Sequence, residues 1–237
     1  MNEVFVRLLW GLVFSGGLAA LSRRLALVTT GGALAGLCIG LAVFVGAGPG
    51  GFVCLAAFFV LGSALTRLGY QRKAQRGLAE ARSGARGAWE VLAKGGVAAL
   101  AALASLSGVP VFEVGFVGAL AAALGDTAST EVGQLSGGGA WLLVPLKRVG
   151  PGTPGAASML GTVAGGAGSL AVAALAFGVG LVPLDGAGAA AAGGFLGNLL
   201  ESVVSSATKG RVGHHGMNLI TTGAGAVTAV LLWKILV

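Results

Sequence analysis

The chain has 237 residues, of which 55% are hydrophobic and 10% are charged, and its mean hydropathy is +0.91. This composition excludes a water-soluble globular domain and indicates a polytopic helical membrane protein. The 45 glycines fit helices that pack closely in lipid. The formal net charge of +7 lies mainly in loops, so it does not indicate nucleic-acid binding.

Eight apolar stretches have the composition of membrane-spanning helices, although some are marginal in length. In chain order they cover residues 4–21, 25–46, 51–68, 91–108, 112–131, 155–182, 186–207 and 216–236. The sequence therefore predicts an all-α fold. We expect one transmembrane domain, residues 1–237, built as a polytopic helical bundle of about eight spans.

Basic residues concentrate in every second loop of this bundle. Twelve of the fifteen lie there: Arg23, Arg24, Arg67, Arg72, Lys73, Arg76, Arg82, Arg86, Lys147, Arg148, Lys209 and Arg211. The positive-inside rule makes these loops cytoplasmic, which places both termini outside a multi-pass protein of the cell inner membrane. Two cytoplasmic segments result, a basic loop at 67–90 and a Gly/Pro-rich phosphate loop at 132–154. The basic loop is expected to contact anionic lipids, with phosphate capture as the alternative.

Span five ends in an unusually polar segment, "ALAAALGDTASTEVGQLSGG" at residues 119–138. Asp126 lies about one and a half turns before the cytoplasmic end of the span, and Glu131 lies at that end. A carboxylate at membrane depth costs about 2–3 kcal/mol, so it normally faces protein or water. We interpret Asp126 as a functional group, with an interhelical hydrogen bond as the alternative.

Spans three, five and seven end in similar sequences, "LGSALTRLG", "LGDTASTEVG" and "LGNLLESVVSSATKG". Because these spans run in the same direction, their polar side chains are expected at similar depth in the cytoplasmic leaflet. The sequence therefore predicts a polar cavity open to the cytosol. Its expected lining is Ser63, Thr66, Asp126, Thr127, Thr130, Glu131, Asn198, Glu201 and Ser202.

The oxygen atoms of this cavity suit Mg²⁺ that is held partly by substrate phosphates. Nearby basic residues suit the phosphates directly. Lys94 lies about one turn inside span four, and Lys209 and Arg211 close span seven. A snorkelling position at the membrane interface is the alternative for Lys94.

The segment "VGPGTPGAAS" at 149–158 predicts an anion-binding helix start. Thr153 is expected to cap span six, with Pro154 at its first helical position. Gly152 and Gly155 would leave the backbone N–H groups accessible. The adjacent histidines His214 and His215 are interpreted as part of a solvated turn, with contact to a nucleotide phosphate as the alternative.

These elements together resemble the phytyl-phosphate kinase family of integral membrane proteins. The resemblance rests on "GDTASTEVG" followed by "VGPGTPGAASMLGT", with "RGAWEVLAKGGVAAL" before and "LGNLLESVVSSATKG…MNLIT" after them. It runs in order over residues 58–225. It implies transfer of a nucleotide γ-phosphate, with CTP favoured, onto an isoprenyl monophosphate to give the diphosphate.

The resemblance also implies site residues, position by position. It places the family's acidic pair on Asp126 and Glu131, and its other motif residues on Arg86, Pro151–Thr153 and Asn218. The chain departs from the family at four positions. The family usually has Trp where Ala128 stands, Asn where Lys94 and Pro154 stand, and Asp where Glu201 stands. The extra charge at Lys94 leaves nucleotide or acceptor preference open.

Phosphoryl transfer depends mostly on positioning, Mg²⁺ and cationic stabilisation. We therefore expect Asp126, Glu131 and Glu201 as metal ligands, and Asp126 and Lys94 as the catalytic residues. Residues five apart on an ideal helix lie about 7.5 Å apart along its axis. Asp126 and Glu131 can therefore share one ion only if span five is distorted; otherwise they bind two ions or one acts indirectly.

The expected partners are a nucleoside triphosphate, an isoprenyl monophosphate lipid and membrane lipids, and a homodimer is left open. The prenyl tail is expected among the Gly/Ala-rich faces of spans four to seven, with its phosphate near Lys94 and Thr153. Alternatively, the runs 95–106 and 186–197 are helix-packing faces only. The competing function is a small-solute or lipid transporter with a polar intramembrane site. Nearly apolar outer helix halves favour the enzyme.

Overall fold

The computed structural model describes residues 3–136 and 139–237. Within them, seven helices are long and apolar enough to cross a membrane. They are α1 (Glu3–Arg24), α2 (Thr30–Arg67), α4 (Ala88–Ala104), α5 (Val111–Leu135), α6 (Met159–Gly178), α7 (Leu184–Ala207) and α8 (His214–Leu236), with a short α3 (Tyr70–Gln75) after α2. The helical membrane fold that the sequence predicts is therefore confirmed.

Helix α2 accounts for two of the eight predicted spans. Its 38 residues would extend about 57 Å if straight, much more than a bilayer core. The helix is broken at Gly48, where φ is +66°, and Pro49 follows. Both ends return to one place, since a Cβ atom at Gly32 or at Gly62 would lie within 3 Å of Arg86. The chain thus makes a helical hairpin, with a first arm (30–47) and a second arm (49–67).

Helix α5 forms the centre of the bundle. Every side chain from Val114 to Ala128 is buried, and α5 packs against α2, α4, α6, α7 and α8. The surrounding helices expose large apolar side chains such as Trp10, Leu100 and Val163 on their outer faces. The apolar side chains face outward because the surrounding solvent is lipid. Polar side chains find their partners in the interior of the bundle.

The Gly/Ala-rich runs pack closely at several positions, and these contacts leave no slot there for the prenyl tail expected among the faces of spans four to seven. A Cβ atom at Gly194 on α7 would lie 2.5 Å from Cβ of Ala121 on α5. On α4, the carbonyl oxygen of Ala102 lies 2.0 Å from the Cβ position of Gly46. Ala102 and Ala121 are both fully buried. Small residues allow the helix backbones to approach closely, and this packing fills the space between the helices at these positions.

A small sheet lies between α5 and α6, which the all-helical prediction missed. Strand β1 (Ala140–Leu143) pairs antiparallel with β2 (Leu146–Val149) and with β3 (Ala156–Ala157). The sheet and its turns occupy most of the loop predicted at 132–154, of which residues 137 and 138 lie outside the described part. Because β3 occupies 156–157, α6 begins only at Met159, four residues after the predicted start of span six.

The loops that carry the basic residues meet at one end of the bundle. Arg67 donates to the Leu25 carbonyl at 2.7 Å, and Arg76 donates to the Gln134 carbonyl at 3.2 Å. The opposite end holds Asp185, which accepts a hydrogen bond from the Trp233 ring nitrogen at 3.2 Å. The separation of basic loops from the remaining loops is thus a feature of the fold.

We predict that the basic end faces the cytosol, as the positive-inside rule requires. Arg76→Cys and Asp185→Cys would be made separately in a background with Cys38→Ala and Cys54→Ala. Both positions are exposed. A membrane-impermeant maleimide applied to intact cells is expected to label position 185 and to miss position 76. The reverse labelling pattern would place the cavity outside the cell, away from nucleotides.

Candidate active site

A cavity of about 390 Å³ opens at the basic end of the bundle. Its walls are the C-terminal ends of α2, α5 and α7, the N-terminal parts of α4 and α8, and two loops at 76–87 and 150–158. The structure brings together here most of the residues that the sequence analysis selected: Thr66, Arg86, Lys94, Asp126, Thr127, Thr130, Glu131, Gly152, Thr153, Gly155, Asn198, Glu201 and Ser202.

Four selected residues do not line this cavity. Ser63 and Asn218 are buried behind it, and each carries a side-chain atom without a hydrogen-bond partner among the described residues. Lys209 and Arg211 are exposed, while Gly210 between them reaches the cavity wall. The two cations at the end of α7 therefore lie outside the site in which the sequence analysis placed them.

Lys94 and Asp126 form a buried ion pair at the inner end of the cavity. The Lys94 Nζ atom lies 2.7 Å from Asp126 Oδ2 and 2.8 Å from the Thr127 hydroxyl oxygen. Both charged residues are less than 10% exposed. Lys94 points into the protein, so the alternative of a snorkelling interface lysine is wrong. A charged pair of this kind is retained only where its hydrogen bonds are satisfied.

A second carboxylate, Glu201 on α7, lines the same cavity and lies close to the Asp126 carboxylate. Glu201 also accepts a hydrogen bond from the Thr221 hydroxyl at 3.0 Å. On the same side, the Ser129 hydroxyl donates to the Asn198 side-chain oxygen at 3.1 Å. Two carboxylates that face one cavity repel each other, so this arrangement favours a bound cation.

Glu131 belongs to a different ion pair. Its carboxylate contacts the Nζ atom of Lys73, which is 1% exposed and also donates to the Thr66 carbonyl at 2.8 Å. Helix α5 is continuous from Val111 to Leu135, so no distortion brings Glu131 toward Asp126. In the described ranges, no three residues among His, Cys, Asp and Glu form a metal-binding group. The pairing with Lys73 sets Glu131 apart from Asp126 and Glu201, and the expected set of three carboxylate ligands stays a prediction.

Sequence reasoning did not select Lys73 as a site residue, because it is one of six cations in the basic loop. Its side chain is the largest fully buried one, yet nothing in "YQRKAQ" distinguishes it from the exposed Arg72. Only Glu131 could have indicated a buried cation in this loop, since a carboxylate near membrane depth requires a cation as its partner. That requirement names no particular residue among the basic ones nearby.

Arg86 is a buried cation whose side chain has no carboxylate or carbonyl partner in the described ranges. Its backbone is fixed by two hydrogen bonds of 3.0 Å to the α1–α2 loop, from its own N–H to Leu27 and from Thr29 to its carbonyl. The guanidinium carbon lies 5.9 Å from the centre of the Phe58 ring. Burial lowers the pKa of this guanidinium, and nearby carboxylates, Glu90 first, oppose that shift. The site thus holds a positive charge that lacks an anion.

The helix start beside the cavity is not where the sequence placed it. Thr153 does not cap α6; its hydroxyl donates to the Gly150 carbonyl at 2.9 Å. Ser158 is the N-cap, and its side chain accepts a hydrogen bond from the Gly161 N–H at 3.1 Å. Ser158, Gly161 and Thr162 line the cavity. The N-terminus of α6 therefore contributes its positive partial charge to the site, with its N-cap five residues later than expected.

The loop at 150–158 depends on a close approach at Gly155. Its φ is +76°, and a Cβ atom there would lie 2.4 Å from the Ser206 backbone nitrogen on α7. We predict that Gly155→Ala lowers the free energy of unfolding by about 1–3 kcal/mol, since both the dihedral angle and the contact become strained. Thermal unfolding in detergent measures this change.

The matched control for Gly155 is Gly150→Ala in the same loop. Among the described residues, Gly150 has no atom within 4 Å of its Cβ position, and its φ is outside the left-handed region. This control is expected to unfold at the wild-type temperature. Equal behaviour of the two variants would contradict the packing of the loop against α7.

Comparison with known proteins gives the family. The model of the family described as integral membrane protein DUF92 matches residues 13–231. The chain belongs to this family. The family membership that the motifs indicated is thereby confirmed.

Three relatives support the same assignment. An uncharacterised membrane protein of Synechocystis sp. is 35% identical over 199 residues, which cover 81% of this chain and 77% of that protein. The protein named VTE6, chloroplastic, of Arabidopsis thaliana is 31% identical over 196 residues, covering 78% of this chain and 59% of the plant protein. An uncharacterised membrane protein of Methanocaldococcus jannaschii is 33% identical over 186 residues, covering 76% and 75%. No solved structure matches the chain.

Proposed function

We propose that the protein is a membrane-embedded isoprenoid-phosphate kinase. It transfers the γ-phosphate of a nucleoside triphosphate, with CTP as the favoured donor, to a prenyl or phytyl monophosphate. The observation that carries this proposal is the placement of two carboxylates, the buried Asp126 and the half-buried Glu201, with Lys94 in one cavity. The cavity, about 390 Å³, falls in the range of ligand-binding pockets.

The residues present fit a divalent cation. Asp126 and Glu201 supply hard carboxylate oxygens, and the side-chain oxygen of Asn198 lies in the same cavity. Mg²⁺ usually takes one or two protein carboxylates and completes its coordination with water and substrate phosphates, so a third protein carboxylate is not required. When bound, Mg²⁺ would neutralise charge on the transferring phosphates.

In the proposed reaction, an oxygen of the prenyl monophosphate attacks the γ-phosphorus of the nucleotide. The bond between that phosphorus and the β–γ bridging oxygen breaks, and the nucleoside diphosphate leaves. The acceptor oxygen is already anionic, so no general base is needed. Lys94, fixed by Asp126 and Thr127, presents a positive charge to the transferring oxygens.

The two substrates would occupy different parts of the cavity. The loop at 150–158, the N-terminus of α6 and the exposed His214 line the cavity, which suits a nucleotide arriving from water. Arg86 lies at the other side, against the α2 hairpin. Its unpaired guanidinium is suited to the phosphate of the lipid acceptor.

A transporter fits the structure less well. The polar residues of the cavity gather at one end of the bundle, and the centre of α5 toward the other end is apolar from Val114 to Leu124. A carrier site is reached alternately from both faces. Described residues 114–124 offer no polar group that would continue the cavity across the membrane.

The proposal is tested with purified protein in detergent, Mg²⁺ and a panel of CTP, UTP, ATP and GTP. Nucleotide consumption is expected only when a prenyl monophosphate is added, and it is expected to be fastest with CTP. Addition of a chelator should abolish it. Consumption that is independent of the prenyl phosphate, or its complete absence with every nucleotide, would contradict the proposal.

A further inference from the structure

A second cavity, of about 70 Å³, lies on the other side of Arg86 and Lys94. It runs between α1, the α2 hairpin and α4, and its walls are almost entirely apolar. Arg86, Glu90 and Lys94 line both this groove and the larger cavity. These three residues therefore lie where the polar site and the apolar groove adjoin.

One wall of the groove is a row of glycines on the first arm of α2, at Gly32, Gly36 and Gly40. The row is closed at both ends, because a Cβ atom at Gly32 would lie 2.3 Å from the Arg86 carbonyl and one at Gly40 2.6 Å from the Ser15 hydroxyl. At Gly36 no atom lies within 4 Å. The three positions span about 12 Å along the helix, so the open space is narrow and elongated.

The mouth of the groove carries the charge that an anionic lipid requires. The Arg86 side chain is more than nine-tenths buried, lines both cavities and has no hydrogen-bond acceptor within residues 3–136 and 139–237. Phe58 and Phe59 lie beside it in the groove. An unpaired buried guanidinium next to apolar rings suits a phosphate joined to a hydrocarbon chain.

We propose that this groove binds the prenyl tail of the acceptor lipid, with its monophosphate between Arg86 and Lys94. The inference rests on the proposed function and identifies where its lipid substrate lies. The tail enters from the α1–α4 side, whereas the nucleotide occupies the larger cavity. The first isoprene unit lies beside Arg86, the following units pass the open space at Gly36, and the remainder extends into the bilayer.

Gly36→Leu tests this placement, because the Cβ position at Gly36 is open to the groove and a leucine side chain there would occupy it. With a geranylgeranyl monophosphate acceptor, kcat/KM is expected to fall about 10-fold or more, whereas consumption of nucleotide with a short, soluble isopentenyl monophosphate changes by less than about 3-fold. The matched control is Gly223→Leu on α8, also half-buried with no atom within 4 Å of its Cβ position. The control is expected to behave as wild type with both acceptors.

A binding measurement separates this inference from the proposed reaction. Geranylgeranyl monophosphate carrying a diazirine on its second isoprene unit is irradiated with wild-type protein, and the labelled peptides are identified by mass spectrometry. Labels on α1, the α2 hairpin and α4 that Gly36→Leu removes support the groove, even if no phosphoryl transfer is detected. In that case the kinase proposal fails and the binding site stands.

Three outcomes would overturn the groove. Labels confined to α6 and α7 would place the tail elsewhere. Unchanged labelling in Gly36→Leu would show that the open space is not used. Full competition by an equal concentration of phosphatidylglycerol would show that the groove holds ordinary membrane lipid and not a prenyl phosphate.

Discussion

Replacing Asp126 with Asn is expected to reduce phosphoryl transfer by a factor of about 10³ or more while the protein still folds. Asn keeps the size of Asp and can still accept a hydrogen bond from Lys94, which is now 2.7 Å from the carboxylate. The substitution removes the negative charge that pairs with Glu201 in the proposed Mg²⁺ site. Initial rates with saturating CTP and prenyl monophosphate measure the loss.

Asp185→Asn is the matched control. It is the same substitution at the opposite end of the bundle, where Asp185 accepts hydrogen bonds from Trp233 and from the Gly186 N–H. We expect wild-type turnover for the control. Near-normal turnover of Asp126→Asn, with an unchanged dependence on Mg²⁺ concentration, would remove Asp126 from the catalytic site.

The Lys73–Glu131 pair is expected to matter for stability more than for chemistry. Lys73→Met leaves the Glu131 carboxylate buried without its cation, which should lower the free energy of unfolding by about 3–5 kcal/mol. The adjacent Arg72 is exposed, so Arg72→Met should change stability little. Thermal unfolding of the purified variants in one detergent gives the comparison.

The double variant Lys73→Met/Glu131→Gln identifies the role of Glu131. It removes both charges together, so we expect it to recover most of the stability lost in the single variant. It is also expected to retain substantial turnover, because the structure places Glu131 away from the Asp126–Glu201 pair. A stable but inactive double variant would return Glu131 to the set of metal ligands.

The transmembrane segments could be predicted from the sequence because hydropathy and length determine them directly. The helical hairpin was predictable as well, since "GAGPG" interrupts two apolar stretches and contains both the positive-φ Gly48 and Pro49. The cluster of polar residues was predictable from the direction of the spans, because spans that cross the membrane in the same direction place their polar ends at the same depth. These predictions depend on local composition and on the membrane as solvent.

Partner choice inside the cavity could not be predicted in the same way. Lys73 and Glu131 are 58 residues apart, and which of several cations reaches Glu131 is decided by the packing of α3 against the bundle. The N-cap of α6 moved from Thr153 to Ser158 because the small sheet takes up the intervening residues. The apolar groove depends on where glycines lack a neighbour, and only the assembled helices determine that.

Phosphoryl transfer to the prenyl monophosphate is tested most directly by following the transferred phosphorus atom. Purified protein is incubated with Mg²⁺, CTP labelled with ³²P at the γ-position and geranylgeranyl monophosphate, and the lipid is extracted and separated. We expect label in geranylgeranyl diphosphate with wild type and with Asp185→Asn, and almost none with Asp126→Asn. Label released only as inorganic phosphate, or label in the lipid at equal rates with Asp126→Asn, would contradict this expectation.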